Sequence, residues 1–357
     1  MKAIIPTGGR GTRMQPITFS ANKHFIPVAN KPLIFYPIET VADAGIKDIL
    51  ITYNQNALDM VKSFLGDGSR WGVKFTYVLQ ESPNGLADVF RVCEKDLEGE
   101  PFLMHNGDNI FTEGIKNAVD YFLEKKPNGL VTMVHHKDNT RLGVPYFDEN
   151  NRLIQYVEKP ENPPHDFAIP GLYFFDNNVF KAFKGDDKVV PSARGELEIN
   201  SPFQWLIDHG YKVDVIEYKG TWLDPGKFDD WLEANKYLLD EKLEEKKDSD
   251  LDSSSTIKGT VSIGVNCNIS GSQITGPVAI GDNVEIKDSR IGPYSSVSDN
   301  CVIEKSSVEN CVLMNGVKIT NVKDKIEASL IGPETEITDS GQASMKLFLG
   351  EKSKIEI

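Results

Sequence analysis

A glycine-rich segment near the start of the chain has residue types that could bind phosphate. Gly8, Gly9, Gly11, Thr12 and Arg13 follow a short apolar run. Glycine lets backbone N–H groups approach phosphate oxygens closely, and an arginine can bind those oxygens through two hydrogen bonds. The spacing fits neither the dinucleotide fingerprint nor a Walker A loop. From these residues alone, a phosphate-binding loop and a tight structural turn remain alternatives.

The charge of the chain limits the ligands it can bind. Its 357 residues are 39% hydrophobic and 26% charged, with a formal net charge of −14. This charge opposes nonspecific binding to nucleic acid or anionic membranes, so a phosphorylated substrate would need local lysine, arginine or metal ions. The sequence shows neither a signal peptide nor a run of roughly 18 apolar residues. We therefore expect a soluble, cytoplasmic protein with no nucleic-acid or membrane partner.

The first part of the chain alternates strand-like and helix-like patterns. This alternation predicts a Rossmann-like, mostly parallel mixed sheet covered by helices. Strands are predicted at residues 2–6, 48–52, 73–79, 102–105, 130–135, 152–158, 167–175 and 211–218, and helices at 33–44, 56–65, 85–97 and 114–125.

A different period governs the last hundred residues. From Ile257 to Val308, aliphatic residues recur at steps of 6, 6 and 5, and Ser272, Ser289 and Ser306 share the resulting 17-residue spacing. Three inward residues per cycle are what a triangular coil needs to build a continuous core. The fold class is therefore predicted to be α/β, with a C-terminal left-handed parallel β-helix. The register breaks near 321–325, where we expect a loop or an irregular coil.

Composition also predicts the domain boundaries. Residues 241–255 are rich in charge and serine and have almost nothing to bury, which is typical of a linker. We therefore predict a catalytic domain at 1–240, a charged linker at 241–255 and a β-helix at 256–357. The four cysteines lack metal-ligand spacing and are expected to be small buried residues.

Several motifs follow one another in the order found in sugar nucleotidyltransferases. They are GGRGTRMQPIT at 8–18, GDGSRWGV at 66–73, QESPNGLA at 80–87, GDN at 107–109, VEKP at 157–160, GLYFFD at 171–176, SARGELEI at 192–199, WLDPG at 222–226 and KLFLGEKS at 346–353. Over nearly its whole length the chain resembles the long-form members of this family, which carry a β-helix.

The resemblance implies a Mg²⁺-dependent reaction of dTTP with α-D-glucose 1-phosphate to give dTDP-glucose and pyrophosphate. The product would feed deoxysugar synthesis such as that of rhamnose. A sugar phosphate is already nearly dianionic at neutral pH, so its attack needs no general base. The site must instead hold two anions together. The resemblance implies that Arg13 binds the pyrophosphate, Lys23 the α-phosphate and Lys159 the sugar phosphate.

The remaining site residues are carried over from the same resemblance. Nucleotide-binding positions are Gly8, Gly9, Gly11, Thr12, Arg13, Gln80, Gly85, Leu86 and Asp108, with Gln80 and Leu86 at the pyrimidine. Sugar-binding positions are Asn109, Gly143, Glu158, Lys159 and Tyr173. The metal ligands are Asp108 and Asp224. From its dipeptide alone, Asp108 would be taken for a turn residue.

Three other interpretations compete with this one. The same chemistry could use UTP, because dTTP and UTP differ by a methyl group and a hydroxyl. A regulatory homologue could keep the fold without catalysis. An acetyltransferase activity in the β-helix is not expected, because residues 256–357 contain no histidine to act as base. The flat faces of a β-helix favour a homo-oligomer of unknown number.

Overall fold

The computed structural model describes residues 1–9, 11–19, 21–249 and 252–339. Within this range the chain forms two compact units, one from residues 1–9 and 34–223, and the other from residues 11–33 and 224–339. The units divide the chain after residues 9, 33 and 223, whereas the sequence predicted a single boundary near residue 240. Every helix in the described part of the chain is too short or too polar to cross a lipid bilayer.

The elements before the repeat region are short. The helices are α1 (Phe35–Asp43), α2 (Leu58–Leu65), α3 (Leu86–Val92), α4 (Glu94–Leu97), α5 (Lys116–Lys125), α6 (Asn200–Asp208) and α7 (Phe228–Glu241). The strands are β1 (Lys2–Pro6), β2 (Pro27–Val28), β3 (Lys31–Pro32), β4 (Asp48–Asn54), β5 (Lys74–Gln80), β6 (Phe102–His105), β7 (Ile110–Phe111), β8 (Gly129–His135), β9 (Gly143–Phe147), β10 (Leu153–Glu158), β11 (Phe167–Ala168), β12 (Leu172–Phe175), β13 (Val213–Glu217) and β14 (Trp222–Leu223).

The first unit is built around a mixed sheet with the order β11-β8-β12-β6-β1-β4-β5, in which β13 also pairs with β8. β6, β1, β4 and β5 are mutually parallel, whereas β12 runs antiparallel to both of its neighbours. Most of β1 and all of β6 are buried. Such continuous apolar strands are typical of a parallel sheet covered on both faces. The predicted mostly parallel mixed sheet is confirmed.

An aromatic cluster joins the helices of this unit to its sheet. The rings of Phe90 and Phe102 lie 5.7 Å apart, Phe102 lies 5.6 Å from Phe175, and Phe175 lies 4.2 Å from Phe203. All four side chains are fully buried. Because each aromatic side chain buries a large apolar area, this cluster fixes α3 and α6 on β6 and β12.

Two predicted elements are interrupted in the structure. The strand expected at 167–175 is divided into β11 and β12, because the Ile169 N–H donates to Gly143 O (2.8 Å) before the chain turns into β12. The helix expected at 85–97 is divided at Cys93 into α3 and α4. The first interruption depends on a backbone hydrogen bond to a residue distant in sequence, and the second depends on local backbone hydrogen bonds. Neither kind of bond changes the hydrophobic pattern of the sequence.

The repeat region forms short strands in three parallel sheets. These strands are β15 (Lys246–Lys247), β16 (Thr256–Lys258), β17 (Val261–Ile263), β18 (Asn268–Ser270), β19 (Gln273–Thr275), β20 (Val278–Ile280), β21 (Glu285–Lys287), β22 (Arg290–Ile291), β23 (Ser295–Val297), β24 (Val302–Glu304), β25 (Ser307–Glu309), β26 (Val312–Leu313), β27 (Lys318–Thr320), β28 (Ile326–Glu327), β29 (Leu330–Ile331) and β30 (Glu336–Thr338).

The three sheets wind as the predicted left-handed parallel β-helix. Equivalent aliphatic residues stack from one coil to the next, as in Ile269, Ile286 and Ile303, which occupy paired positions of neighbouring strands. The repeated serines link the coils: Ser289 N–H donates to Ser272 Oγ (3.1 Å), and Ser306 N–H donates to Ser289 Oγ (3.2 Å). The 17-residue period thus places both an inward apolar residue and a hydrogen-bonding hydroxyl at each turn.

The coil lengths change where the sequence register breaks. Val302 pairs with Lys318, a step of 16 residues, and Val308 pairs with Ile326, a step of 18. The irregular coil predicted near 321–325 is therefore present, with Val322 N–H still donating to Ser306 Oγ (3.1 Å).

Part of the segment predicted as a linker belongs to the β-helix. After α7 ends at Glu241, β15 pairs with β17, and Ser249 Oγ donates to Gly264 O (2.6 Å). The charged side chains of β15 are exposed, while its backbone hydrogen-bonds to β17 and so pairs the edge strand of the first coil. Asp250 and Leu251 lie outside the described residues, as do Arg10 of the glycine-rich motif and residues 340–357, including KLFLGEKS.

All four cysteines are free thiols. Cys93, Cys301 and Cys311 are buried, as expected, whereas Cys267 is half-buried.

Truncating one inward residue should destabilise the β-helix measurably. Ile286 is fully buried between Ile269 and Ile303, so Ile286→Ala should lower the free energy of unfolding of the β-helix by about 2–5 kcal/mol. Urea titration followed by circular dichroism measures this change. The control is the adjacent exposed residue in Lys287→Ala, and equal stability of the two variants would contradict the stacked core.

Candidate functional site

In the first unit, predicted nucleotide-binding residues lie at one edge of the main sheet. β1, β4, β5 and β6 are parallel, so their carboxyl ends share this edge. Gly8 and Gly9 follow β1, Gln80 ends β5 and Asp108 follows β6. Successive strands extend from β1 to β4 and β5, and β6 then pairs on the opposite side of β1. Ligands in open α/β sheets bind outside the carboxyl ends at such a reversal of strand order.

The loop after β1 needs glycine for steric reasons. Thr7 is buried, and its hydroxyl and N–H both donate to Thr52 O on β4 (2.8 and 2.9 Å). A Cβ at Gly8 would lie 2.7 Å from Asn54 Oδ1, and Gly9 has a φ of 126°. A larger residue at Gly8 would require the Asn54 side chain to move, and one at Gly9 would strain the backbone because of its positive φ. Glycine suits both positions of this loop.

Gln80 has an oriented side-chain amide. It is buried at the end of β5, where its Nε2 donates to Asp88 Oδ2 (3.1 Å). The following loop is close to residue 197: a Cβ at Gly85 would lie 2.4 Å from Leu197 O, which accepts the Ala87 N–H (3.0 Å). Leu86 is half-buried at the start of α3. The amide and this side chain are thus presented by a tightly constrained loop.

Asp108 lies in a turn that Asn109 stabilises. Asn109 Nδ2 donates to Asp108 Oδ1 (3.2 Å), and Asn109 Oδ1 accepts Gly171 N–H and Trp222 Nε1–H (both 3.1 Å). Asn109 is almost fully buried. Its amide thus supports the turn that presents Asp108, and its predicted contact with the sugar remains a prediction.

Glu158 and Lys159 lie at the end of β10. The Lys159 N–H donates to Leu142 O (2.9 Å), and its Nζ lies 3.4 Å from Glu158 Oε1. Lys159 has a left-handed φ of 52°, which turns the exposed side chain away from the strand direction. Next to this pair, Gly143 leaves space for the Tyr156 ring, because a Cβ there would lie 2.3 Å from that ring.

Burial raises the pKa of the Glu158 carboxyl above its ordinary value of 4.5. The neighbouring Lys159 ammonium opposes this change, whereas the negative charge of Glu198 adds to it. A carboxylate that is poorly solvated and close to a second acid gains from hydroxyl donors. The chemistry of Glu158 therefore suits it to accept hydrogen bonds from a sugar.

Two charged residues near Glu158 were missed from the sequence. Arg194 Nη2 and Ser192 Oγ both bind Glu198 Oε1 (2.9 and 2.8 Å), and the charges of Arg194 and Glu198 both act on Glu158. SARGELEI is one of the motifs that carry the family resemblance, but none of its residues is among the predicted site residues. The signal in the sequence was Arg194 before Gly195 with two glutamates after it, a combination of charges that suits phosphate or sugar binding.

The Tyr173 side chain lies in the core of the first unit. It occupies the middle of β12, paired with Met104 and Val131, and only 4% of its surface is exposed. Its ring is 6.1 Å from that of Phe203, and it hydrogen-bonds to Tyr156. Its position shows a packing role, and sugar binding by Tyr173 stays a prediction.

The other predicted phosphate-binding residues belong to the second unit. Thr18 Oγ1 donates to Gly11 O (2.8 Å), and a Cβ at Gly11 would lie 2.9 Å from Thr18 Cγ2 and 3.5 Å from Lys23 Cβ. Gly11 has a left-handed φ of 54°. The backbone at Gly11 therefore packs closely against Thr18 and Lys23. The Thr12 and Arg13 side chains that follow Gly11 are exposed.

Arg13 lies beside the loop that carries Asp224. A Cβ at Gly226 would lie 3.4 Å from Arg13 Nη1 and 3.5 Å from Asp230 Oδ2. Pro225 and Gly226 are buried, whereas Asp224 is half-buried. Within the second unit, a cation and a carboxylate of the predicted site thus come from neighbouring loops.

The available oxygen donors fit a magnesium ion that is held partly by substrate. The described residues contain no group of three or more histidine, cysteine, aspartate or glutamate side chains able to hold a metal ion. Mg²⁺ usually takes one or two carboxylates, with phosphate oxygens and water completing its ligands. Asp108, half-buried and stabilised by Asn109, is a donor of this kind.

Comparison with known proteins places these features in one family. The family model described as Nucleotidyl transferase matches residues 2–241. The chain belongs to the nucleotidyl transferase family. A glucose-1-phosphate thymidylyltransferase of Streptomyces antibioticus is 37% identical, covering 100% of this chain and 99% of the relative. One from Streptomyces griseus is 34% identical with the same coverage.

Two solved structures match about two thirds of the chain. A Bacillus anthracis protein assigned as a glucose-1-phosphate thymidylyltransferase, solved with sucrose, is 34% identical with a TM-score of 0.63, covering 69% of this chain and 98% of that one. A UDP-glucose pyrophosphorylase with bound UDP-glucose is 21% identical with a TM-score of 0.59, covering 68% of this chain and 99% of that one. The second similarity concerns the fold alone.

Neutralising Glu158 should not reduce stability near neutral pH. The raised pKa means that folding disfavours the ionised carboxylate; this cost is full above the folded-state pKa and vanishes as pH falls below the unfolded-state value. Glu158→Gln should therefore melt at the same or a higher temperature than wild type at about pH 7.5, with the difference closing towards about pH 4. Thermal unfolding at both pH values measures this.

The exposed neighbour provides the control as Glu161→Gln. A melting temperature at neutral pH that falls for Glu158→Gln but not for Glu161→Gln would show that the Lys159 interaction outweighs desolvation.

Proposed function

We propose that this chain is a glucose-1-phosphate thymidylyltransferase. It joins dTTP to α-D-glucose 1-phosphate and releases pyrophosphate. The observation that carries this proposal is the similarity of the chain, over its full length, to two Streptomyces enzymes of that name. The sequence resemblance to long-form sugar nucleotidyltransferases pointed to the same reaction. A UTP-dependent reaction remains the alternative, and the UDP-glucose pyrophosphorylase does not decide between the nucleotides because it shares only the fold at 21% identity.

The basic residues hold the phosphates of the two substrates. Arg13 binds the leaving pyrophosphate and Lys23 the α-phosphate, while Lys159 binds the phosphate of the sugar. These cations offset the repulsion between two anions and the charge that develops on pyrophosphate. The exposed Arg13 and Lys159 side chains, each at the end of a constrained backbone turn, support these roles. The sugar phosphate attacks the α-phosphorus in line, without a covalent enzyme intermediate.

Asp108 and Asp224 are the carboxylates that would hold Mg²⁺. When bound, this ion supplies a positive charge that neutralises phosphate oxygens in the transition state. Asp108 has its carboxylate oriented by Asn109, and Asp224 lies on the loop beside Arg13.

Gln80, Gly85 and Leu86 bind the pyrimidine. Asp88 orients the Gln80 amide, so that its carbonyl oxygen can accept an N–H from the base edge, while Leu86 packs on the ring. A buried amide matched to one base edge rejects others strongly because a mismatch leaves polar groups unpaired. Gly8, Gly9, Gly11 and Thr12 contribute backbone donors to the triphosphate.

Glu158, Lys159 and Gly143 bind the sugar, and Asn109 and Tyr173 complete the predicted sugar site. The raised pKa and partial burial of Glu158 support its role as acceptor for sugar hydroxyls. We further propose that the enzyme works in the cytoplasm as a homo-oligomer. The long flat sheets of the β-helix suit self-association.

A substrate grid tests the reaction. Pyrophosphate release is measured with dTTP, UTP, CTP, ATP and GTP, each paired with glucose, galactose and N-acetylglucosamine 1-phosphates in the presence of Mg²⁺. The highest kcat/KM is expected for dTTP with glucose 1-phosphate, the substrates in the name of the two Streptomyces relatives, while the oriented Gln80 amide disfavours the purines ATP and GTP. A preference for UTP would replace the nucleotide in the proposal, and absence of release from every pair would refute it.

Removal of the Asp108 charge should impair catalysis. Asp108→Asn should lower kcat/KM by about 10²-fold, the loss typical of one electrostatic group at a reacting phosphate. The matched control is Asp120→Asn, since Asp120 is exposed on α5 and pairs with Lys116. Equal activity of the two variants would remove Asp108 from the site.

A further inference from the structure

The loop that carries Arg13 and Lys23 ends in a small β-hairpin. β2 and β3 are joined by Ala29 and Asn30, which both have left-handed φ values (48° and 62°). This two-residue connection is typical of a tight hairpin turn. Trp231 of α7, itself fully buried, donates from Nε1 to Pro27 O in the hairpin (2.8 Å). The hairpin is therefore attached to α7 within the second unit.

Asn235 of α7 connects the hairpin to the β-helix. Its side chain is fully buried, and its Oδ1 accepts both Ala29 N–H (2.8 Å) and Ser296 Oγ–H (2.7 Å). Its Nδ2 donates to Tyr294 O (2.9 Å). Three bonds to one buried amide leave little freedom, and loss of the amide would leave buried partners unpaired.

Asn30 makes a second connection at the tip of the hairpin. Its Nδ2 donates to Val297 O (2.7 Å), and its Oδ1 accepts Ser298 Oγ–H (3.1 Å). Both partners lie at the end of β23 or just after it. The two asparagines thus bind four residues of one β-helix coil, which are Tyr294, Ser296, Val297 and Ser298.

The β-helix has a surface that allows this close approach. Ser262, Ala279 and Ser296 occupy paired positions on β17, β20 and β23, and each lies between two inward-facing residues. Ala279 and Ser296 are buried. Small side chains in one column let α7 and the hairpin lie directly against the strands.

The loop itself has little regular structure to hold it. It consists of the short 3-10 turns Thr12–Met14, Ile17–Phe19 and Lys23–Phe25, followed by the hairpin. Ile17 makes a further approach to the β-helix, since its Cγ1 lies 4.0 Å from a Cβ built at Gly332. A loop of this kind takes its conformation from the elements to which it is attached.

We propose that the β-helix positions the phosphate-binding cations Arg13 and Lys23 through this hairpin, with Asn30 and Asn235 as positioning residues. The inference rests on the proposed function for the roles of Arg13 and Lys23. The β-helix is then part of the framework for triphosphate binding, and loosening the hairpin weakens the nucleotide complex while leaving the Glu158–Lys159 pair of the first unit intact.

The test variant is Asn30→Gly in the full chain. Glycine adopts the left-handed φ of position 30 without strain, so the turn is kept while the two side-chain hydrogen bonds are lost. Loss of the two hydrogen bonds should raise KM for dTTP about five- to thirtyfold, with KM for glucose 1-phosphate unchanged. Asn235→Ala should act in the same direction.

Amide hydrogen exchange without substrate tests the attachment independently of activity. In Asn30→Gly, the bonded amides of Met14, Ala21, Phe25 and Ile26 should exchange faster than in wild type. Ser289→Ala is the matched control, because the Ser289 hydroxyl donates to Lys287 O and Ile303 O within the β-helix. It should leave exchange at 11–26 and both KM values unchanged.

The outcomes separate the two proposals. Wild-type exchange at residues 11–26 in Asn30→Gly overturns the inference, and so do effects of equal size in Asn30→Gly and Ser289→Ala. A wild-type enzyme without activity on any substrate pair refutes the proposed function, and exchange then decides the attachment of the loop by itself. If Asn235→Ala does not fold, Asn30→Gly alone decides.

Discussion

The hydrogen bonding of β6, β1, β4 and β5 in one parallel ladder is the constraint on which the first unit depends. It brings the carboxyl ends of the four strands to a common edge, so three loops distant in sequence present a glycine turn, an amide and a carboxylate there. The loops have little freedom at this edge. Gly9 has a positive φ that other residues rarely adopt, and the Leu197 backbone excludes a side chain at Gly85.

Charge is the second constraint, because an acidic chain must bind two anionic substrates. Lysine and arginine side chains meet this need locally, but acids accompany them: Lys159 lies beside Glu158, and Arg194 pairs with Glu198. These acids limit the positive potential, and in the proposed function Glu158 is the acceptor for sugar hydroxyls. The raised pKa of Glu158 shows the cost of this arrangement, because burial disfavours the ionised form of its carboxyl group. Binding of a polyhydroxylated phosphate needs both kinds of group.

The β-helix illustrates how a regular repeat can support an irregular loop. Its 17-residue period places small residues in one outer column, and Ser296 of this column bonds to Asn235 of α7. Asn235 and Asn30 complete the attachment with hydrogen bonds to a single coil. The interior of the repeat supplies stability, while its outer face determines where the preceding loop can lie.

Local patterns determined much of this architecture in advance. β1 and β6 begin and end at the predicted residues, and the 6, 6, 5 spacing foretold the three sheets of the β-helix. Such features are visible in sequence because inward-facing residues repeat with the period of the element itself. The order of short motifs similarly indicated the family, since those motifs contain the residue types that phosphate and sugar binding need.

Tertiary structure alone decided which partners the polar residues have. The Asn109 amide bonds to Gly171 and Trp222, and Tyr173 is packed in the core, while sugar binding by both stays a prediction. Arg194 and Glu198 joined the Glu158 region without having been singled out, and Asn235 became the junction of α7, the hairpin and the β-helix. The physical reason is that each of these roles depends on partners tens to hundreds of residues away, whose approach leaves no period or spacing in the sequence.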